Sequence, residues 1–384
     1  MTNSMDVKKK IIVICMVDSI HSARWLSQFK NENIEFTLIP STPNRKIHAT
    51  ISALISNTET VATYNLSKFF RWLSIPLWGI DLLFGNRLRG FLVSRLAKKN
   101  NVNFIHAMEL NHSGYIALRA AEAGLPDQCK IISTNWGSDI FWFQKYPRHR
   151  LLIGKLMAAS SIYSAECSRD LELATKYGFK GVFQEVLPNA GGFSNSALTK
   201  NLQIASERKI ILVKGYESFV GRASIALQAI SELKSELTDY KVIVYSSNRK
   251  TIKLADAIRK QRGVNIRAIS KKQLSHEQML DLFAQARIYI GVSLSDGIST
   301  SLLEAMAMGA FPIQTNTSCA EEWIENDITG KIINPDVSEV KLALLETLSD
   351  DDLVDSAMVS NRQLIKSRLS EELIESKIIR FYDC

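Results

Sequence analysis

Two acids, Asp296 and Glu304, bracket a glycine and three hydroxyl residues in the stretch SDGISTSLLEAMAMGAFPIQT, residues 295–315. The run before it, RIYIGVS (287–293), reads as a strand, and the run after Ser301 reads as a helix. Gly297 supplies the backbone freedom of a sharp turn. Ser299, Thr300 and Ser301 are each competent helix caps. The N–H groups and dipole of a helix start form an anion site, here over Gly297, Ile298, Ser299 and Thr300. Helical side chains lean toward the N-terminus, so Glu304 reaches back toward that site while Asp296 approaches from the loop. A ligand with phosphates in the middle and hydroxyls at both ends suits this layout, and a nucleotide sugar is such a ligand. The plainer reading, Asp296 as a turn cap and Glu304 as a surface helix residue, stands beside it on pattern alone.

The elements that must carry these residues alternate. Residues 11–17, 34–40, 102–108, 130–136 and 161–165 read as strands, with helices from about Ser22, over Ser113–Ala123 and around Arg169–Tyr177. The polar stretch 188–208, with Gly191–Gly192, reads as a linker. Strands then resume at 209–215, 240–247, 264–269, 287–293, 311–315 and 331–335, each separated by helical pattern. Their continuous apolar character fits parallel sheets covered on both faces. The expectation is an α/β protein of two doubly wound domains: 1–190, a linker 191–208, 209–370, and a C-terminal helix 371–384 able to pack on either domain. Such sheets bind ligands beyond the C-terminal ends of their strands, which puts the expected site in an inter-domain cleft.

A length of 384 residues agrees with two domains, and 46% hydrophobic with 22% charged residues agrees with a globular chain. The N-terminal run is short and followed by Asp18 and His21, unlike a signal peptide, and no run of about 20 apolar residues spans a membrane. Five scattered cysteines make neither a zinc pattern nor a disulfide framework, so a reduced cytoplasm is expected. The net charge of +8 is uneven: residues 1–190 hold 23 Lys and Arg against 14 Asp and Glu, and the remainder 24 against 25. A basic first half fits an anionic partner, or simply a solvated basic face.

The segment Asp296, then Glu304-Ala305-Met306-Ala307-Met308-Gly309-Ala310-Phe311-Pro312, resembles the signature of the retaining GT-B glycosyltransferases of family 4 (group 1) type: an acid, seven residues, Glu, then Ala-Met-Ala-x-Gly-x-Pro. CAEEWI (319–324) and ITGKIINP (328–335) resemble that family's downstream run. The resemblance implies a GT-B fold with two Rossmann-like domains, the first for the acceptor and the second for the nucleotide sugar. It implies that Asp296 meets donor-sugar hydroxyls, Glu304 holds the ribose, and Gly297–Thr300 hold the diphosphate. The family has Glu at the first acid where this chain has Asp296. Its basic pair at the first strand of the second domain corresponds to Lys214 and Arg222 in VKGYESFVGRASIALQAI (213–230), in a different order. Two cations there would stabilise charge on the departing diphosphate, so no metal or other cofactor is expected. The plainer reading makes them strand-end and helix-start charges, although an arginine at a helix start opposes the dipole.

In the first domain, DSIHSARW (18–25) resembles the Ser-x-His-x-x-Arg-Trp start of bacterial polysaccharide-type members, with His21 on the acceptor side. NWGSDIFW (135–142) resembles the family's His-Gly-Ser-Asp run with Trp136 in the histidine's place. Asn135, Asp139 and His112, the last in ELNHSGY (109–115), are the alternative polar contacts, and a helix cap is the plainer role of Asp139. Residues 68–99 hold Phe69, Phe70, Trp72, Trp78, Phe84 and Phe91 among many Lys and Arg, with Asp81 the one acid. That composition fits a helix pair at an anionic membrane surface, or a hairpin packed on its domain, broken at Pro76 and Gly79. No nucleic-acid module is evident. The expected activity is sugar transfer from a nucleoside-diphosphate sugar to a hydroxyl of a glycan or lipid-linked acceptor, with retention, in bacterial cell-surface polysaccharide or lipopolysaccharide synthesis. The expected place is the cytoplasm, peripheral to the inner membrane face. Alternatives are a nucleotide-sugar 2-epimerase of the same fold and an inactive nucleotide-sugar-binding subunit.

Overall fold

The computed structural model describes residues 8–29, 33–43, 46–57, 61–63, 68–188, 191–271 and 273–383, and only the backbone at 57, 61–63, 68–74 and 77. Two units divide the chain: residues 1–190 with 376–384, and residues 191–375. Asn189 and Ala190, at the expected domain boundary, lie outside the described residues.

The first unit holds seven parallel strands: β1 Lys9–Cys15, β2 Ile34–Pro40, β3 Val61–Thr63, β4 Phe104–Met108, β5 Lys130–Asn135, β6 Ile162–Ala165 and β7 Val182–Phe183. Their order is β3-β2-β1-β4-β5-β6-β7, which reverses direction between β1 and β4. Ile11 to Cys15 are all buried, because helices cover both faces and leave no polar side to alternate with. On one face Ile12, Ile14, Ile105 and Ala107 meet Val93 and Ala97 of the helix Arg87–Asn100 and Ile116 and Ala120 of the helix Tyr115–Glu122. Each Val or Ile side chain so removed from water contributes about 1.5–3 kcal/mol. Those two helices approach closely through Gly90, where a Cβ would strike the Arg119 backbone.

The basic aromatic segment forms two helices, Lys68–Leu83 and Arg87–Asn100. The break falls at Gly85 and Asn86, both with left-handed backbone, and not at Pro76 or Gly79, through which the first helix runs. Buried Asp81 supplies the reason: its Oδ1 accepts from the N–H groups of Leu88 (2.9 Å) and Arg89 (3.3 Å), capping the second helix, and its Oδ2 pairs with Arg89 Nε at 2.5 Å. The side chains of Phe69, Phe70 and Trp72 lie outside the described residues. Among the described residues no helix is long and apolar enough to cross a membrane.

Residues 376–383 complete the first unit. Phe381 and Tyr382 join Trp25, Phe29 and Phe36 in an aromatic cluster with edge-to-face geometry. His106 of β4 sits fully buried within it, its Nδ1 2.7 Å from Tyr382 Oη and its Nε2 2.7 Å from Thr134 Oγ1.

The second unit holds six parallel strands: β8 Ile210–Lys214, β9 Lys241–Ser247, β10 Ile266–Ser270, β11 Ala286–Gly291, β12 Phe311–Thr315 and β13 Lys331–Ile333. The order β10-β9-β8-β11-β12-β13 reverses between β8 and β11. Its core gathers Ile211, Val213, Ile288 and Ile290 with Leu227 and Ile230 of the helix Ala223–Ser231 and Leu344 of the helix Val337–Ser349. The stretch expected as a linker is anchored from Phe193 onward. Phe193 exchanges backbone hydrogen bonds with Leu369 and Glu371. Buried Arg208 donates to the carbonyls of Gln203, Ala286 and Met308, satisfying a charge that the apolar surroundings would otherwise penalise.

Candidate active site

The reversal between β8 and β11 is where an open parallel sheet offers a ligand its strand ends. Two sequence-predicted residues stand there: Lys214 ends β8, and the loop after β11 carries Asp296. Gly291 closes β11 because any Cβ would collide with the side chains of Gln314 and Tyr289. The loop is pinned from both sides. Leu294 N–H donates to the Val220 carbonyl (2.8 Å), Ser293 N–H to Thr315 Oγ1 (3.0 Å), and Asp296 N–H to the Thr317 carbonyl (3.2 Å).

The helix Thr300–Ala307 follows, buried along nearly its whole length. Its N-cap residue Ser299 has extended backbone but makes no side-chain cap bond. Instead, Ser299 Oγ accepts from Lys214 Nζ at 3.1 Å. The same ammonium lies 3.8 Å from Asp296 Oδ2. A cation and a helix N-terminus therefore share one spot, and both favour an anion. Burial pulls the Lys214 ammonium down, but Tyr289, Asp296, Glu304 and Tyr216 together raise it above the ordinary lysine value. Asp296 also performs its plainer role, since its Oδ1 accepts from Gly297 N–H at 3.1 Å.

Glu304 lies one turn into the helix with its side chain 4% exposed. Its Oε1 is 2.9 Å from Nε2 of His276, the first residue of the helix His276–Ala284, whose ring is half exposed. Glu304 is thus a buried acid, not a surface residue. Sequence reasoning missed His276: it belongs to no motif and sits 28 positions away. The Ser275–Gln278 capping box that fixes its helix start was the available signal.

Arg222 is placed differently from Lys214. Its guanidinium folds back on its own loop, donating to the carbonyls of Ser218 (2.7 Å) and Gly221 (2.8 Å). It stands at the N-cap of the helix Ala223–Ser231, where Glu217 Oε2 accepts from Ser224 N–H at 2.9 Å and supplies the negative charge the dipole favours.

In the first unit the loops after β1, β4 and β5 carry the remaining predicted residues. His21 is the second residue of the helix Ile20–Ser27, its N–H donating to the Ser19 cap, and its ring lies 5.4 Å from that of Trp136. Asp139 bridges two loops, its Oδ2 accepting from Leu110 N–H and Trp136 N–H, both at 3.1 Å. Burial and the neighbouring Glu109 push its carboxyl up to about 7. Glu109, which the sequence did not single out, has φ +145°, a left-handed-side backbone rare outside glycine. The local carboxylate contacts hold it there: Glu109 accepts from the N–H groups of His112 and Ser113 and from Ser113 Oγ. Burial raises the Glu109 carboxyl, but His112 and the donors around it bring it below its usual value. His112 is raised in turn, chiefly by its hydrogen bond to Glu109.

Two family models cover most of the chain: "Glycosyl transferase 4-like" over residues 10–166 and "Glycosyl transferases group 1" over residues 195–363. Among solved structures, a glycosyltransferase from Rickettsia africae ESF-5 is similar with a TM-score of 0.67, 16% identity and coverage of 98% of both chains. Alr3699/HepE of Anabaena, solved in complex with UDP, gives a TM-score of 0.71 at 12% identity over 98% of this chain and 99% of that one. WaaB, a lipopolysaccharide outer core galactosyltransferase, gives 0.65 at 14% identity over 97% and 98%. No curated protein sequence matches significantly. Sheets reversing at β1/β4 and β8/β11, the Asp296–Glu304 signature on its buried helix and both family models agree, and the chain belongs to the group 1 glycosyltransferases of the GT-B fold.

Proposed function

We propose that the protein transfers a hexose-type sugar from a nucleoside-diphosphate sugar to a hydroxyl of a glycan or lipid-linked acceptor, with retention of configuration. The observation that carries this reading is the meeting of Lys214, Ser299 and Asp296 at the uncapped start of a helix whose next turn holds Glu304. On this reading the diphosphate lies against Gly297–Thr300 and Lys214, the ribose hydroxyls on Glu304, and the donor sugar beside Asp296. The glycosidic C–O bond breaks and its electron pair goes to the β-phosphate oxygen. Lys214 and the helix dipole stabilise that charge in a site already organised for it. The acceptor oxygen bonds to the sugar from the same face and gives up its proton to the departing β-phosphate oxygen. Arg222 joins as a second cation by exchanging its loop carbonyls for phosphate oxygens.

A uridine nucleotide is the proposed donor base, supported by the Anabaena structures with UDP and UDP-glucose. The proposed setting is cell-surface polysaccharide or lipopolysaccharide synthesis at the cytoplasmic membrane face, supported by the likeness to WaaB. No metal or other cofactor enters this mechanism. Calorimetry with UDP and GDP, followed by turnover assays over a panel of nucleotide sugars, tests it. Binding of one nucleotide, slow hydrolysis of its sugar conjugate and loss of both in Glu304→Ala are expected. Binding without turnover in the presence of acceptors would instead support an inactive binding subunit. That outcome has a structural basis, since Asp296 already engages Gly297 and Lys214.

A further inference from the structure

A pocket of about 800 Å³ opens in the first unit between the helix pair of residues 68–100 and the helix Pro147–Ala159. Its lining has two characters. One is basic and polar, and includes Arg89, Arg119, Arg148 and Lys155, with no acid among the lining residues. Arg89 and Arg119 are already engaged, by Asp81 and by Glu122. Arg148 and Lys155 are exposed on the helix Pro147–Ala159, and no acid pairs with either among the described residues. The lining also holds Tyr115, whose hydroxyl lies 2.9 Å from His149 Nδ1, and His112, in the turn Leu110–Gly114 that follows β4.

The other character is apolar and open. Leu83 is 87% exposed and Leu151 62% exposed, both on the pocket lining, and Phe84 and Phe91 of the same segment are exposed as well. An exposed leucine alone is ordinary, but leucines rimming a concave cationic site are not scattered surface residues. Unpaired cations beside open apolar surface are complementary to one molecule that carries an anion and a chain together.

We propose that this pocket binds a phosphate ester of a long alkyl chain, the carrier end of a lipid-linked acceptor, with the phosphate at Arg148 and Lys155 and the chain across Leu83 and Leu151. The acceptor role rests on the transfer reading above, whereas the binding itself does not. The pocket borders the turn Leu110–Gly114 that follows β4, one of the two strands at which the first sheet reverses, and such sheets receive ligands beyond their strand ends.

The test is calorimetric titration of the full chain with monomeric dodecyl phosphate, beside inorganic phosphate and dodecyl maltoside as the anion alone and the chain alone. Dodecyl phosphate should bind at least about tenfold more tightly than either control. Arg148→Glu with Lys155→Glu should weaken it about tenfold or more, and Leu83→Asp about fivefold. These positions are exposed, so the melting temperature should hold. UDP affinity of the variants should match wild type. Failure of the wild type to bind dodecyl phosphate while it binds UDP would overturn the proposal and leave the transfer reading intact. Binding of dodecyl phosphate without any nucleotide binding would do the reverse. Variants that lose adhesion to anionic vesicles but keep dodecyl phosphate affinity would identify the face as a membrane contact, and the pocket assignment would be wrong.

Discussion

Glu304 and His276 face each other across 2.9 Å, a carboxylate shut away from water against an imidazole half in solvent. The contact fixes the direction of a side chain that the helix already tilts toward its own start. Replacing His276 with Ala should remove this one contact while leaving the carboxylate in place. Discounted for exposure, the lost hydrogen bond is about 1 kcal/mol, or roughly fivefold in nucleotide affinity. The expected pattern is a raised Kd for UDP and a raised KM for the sugar donor with kcat nearly constant. A fall in kcat at constant Kd would place His276 at the reacting centre instead.

Lys214→Met should show the opposite split. On the proposed reading Lys214 faces the developing oxyanion, and its loss should lower kcat about 100-fold or more. UDP binding should weaken less, because the helix start remains. Since Lys214 titrates above the ordinary lysine value, its charge persists through neutral and mildly alkaline pH. Any alkaline fall in wild-type rate below that range must come from another group, and a rate profile against pH reads this directly.

His106 gives a prediction about stability. Burial pushes its imidazole down to about 3, from an unfolded value of 6.5. A histidine held neutral in the folded state costs nothing above the unfolded value. Below it the unfolded chain takes up a proton that the native protein refuses. Stability is therefore lost as pH falls from 6.5 toward 3, at up to roughly 1.4 kcal/mol per pH unit. His106→Gln should be the less stable protein at neutral pH. Its gap to wild type should shrink as pH falls through that window in urea titrations, and a constant gap would contradict the assignment.

Asp81→Ala removes a helix cap and the partner of Arg89 in one step. The expected cost is about 3 kcal/mol, the range of a largely buried pair broken on one side. Thermal melts should show the loss. Adding Arg89→Met should recover part of it, because the orphaned charge then disappears.

The parallel sheets were legible because runs such as Ile11–Cys15 and Ile211–Val213 have no polar face to disguise them. β3 and β7, three and two residues long, escaped notice, whereas β13, as short as β3, was read within the longer run 331–335. The Asp296–Glu304 spacing was legible as a motif, yet its partner His276 arrives by packing of a neighbouring helix, which no local rule encodes. Pro76 and Gly79 were expected to break a helix that in fact continues, since the decisive residue was Asp81, capping the next helix seven positions on. Arg208 looked like linker polarity and is instead a buried clamp, because the distant carbonyls of Ala286 and Met308 converge on it with that of nearby Gln203.

Tyr382 reaches its partners His106 and Trp25 from 276 and 357 positions along the chain. On the ribosome, β4 emerges long before the hydroxyl that its histidine will meet. The first sheet can assemble early, yet its aromatic seal waits until the whole of the second unit has been synthesised. Until then Trp25, Phe29 and Phe36 lack the two rings that shield them, a sticky interval of the kind chaperones attend.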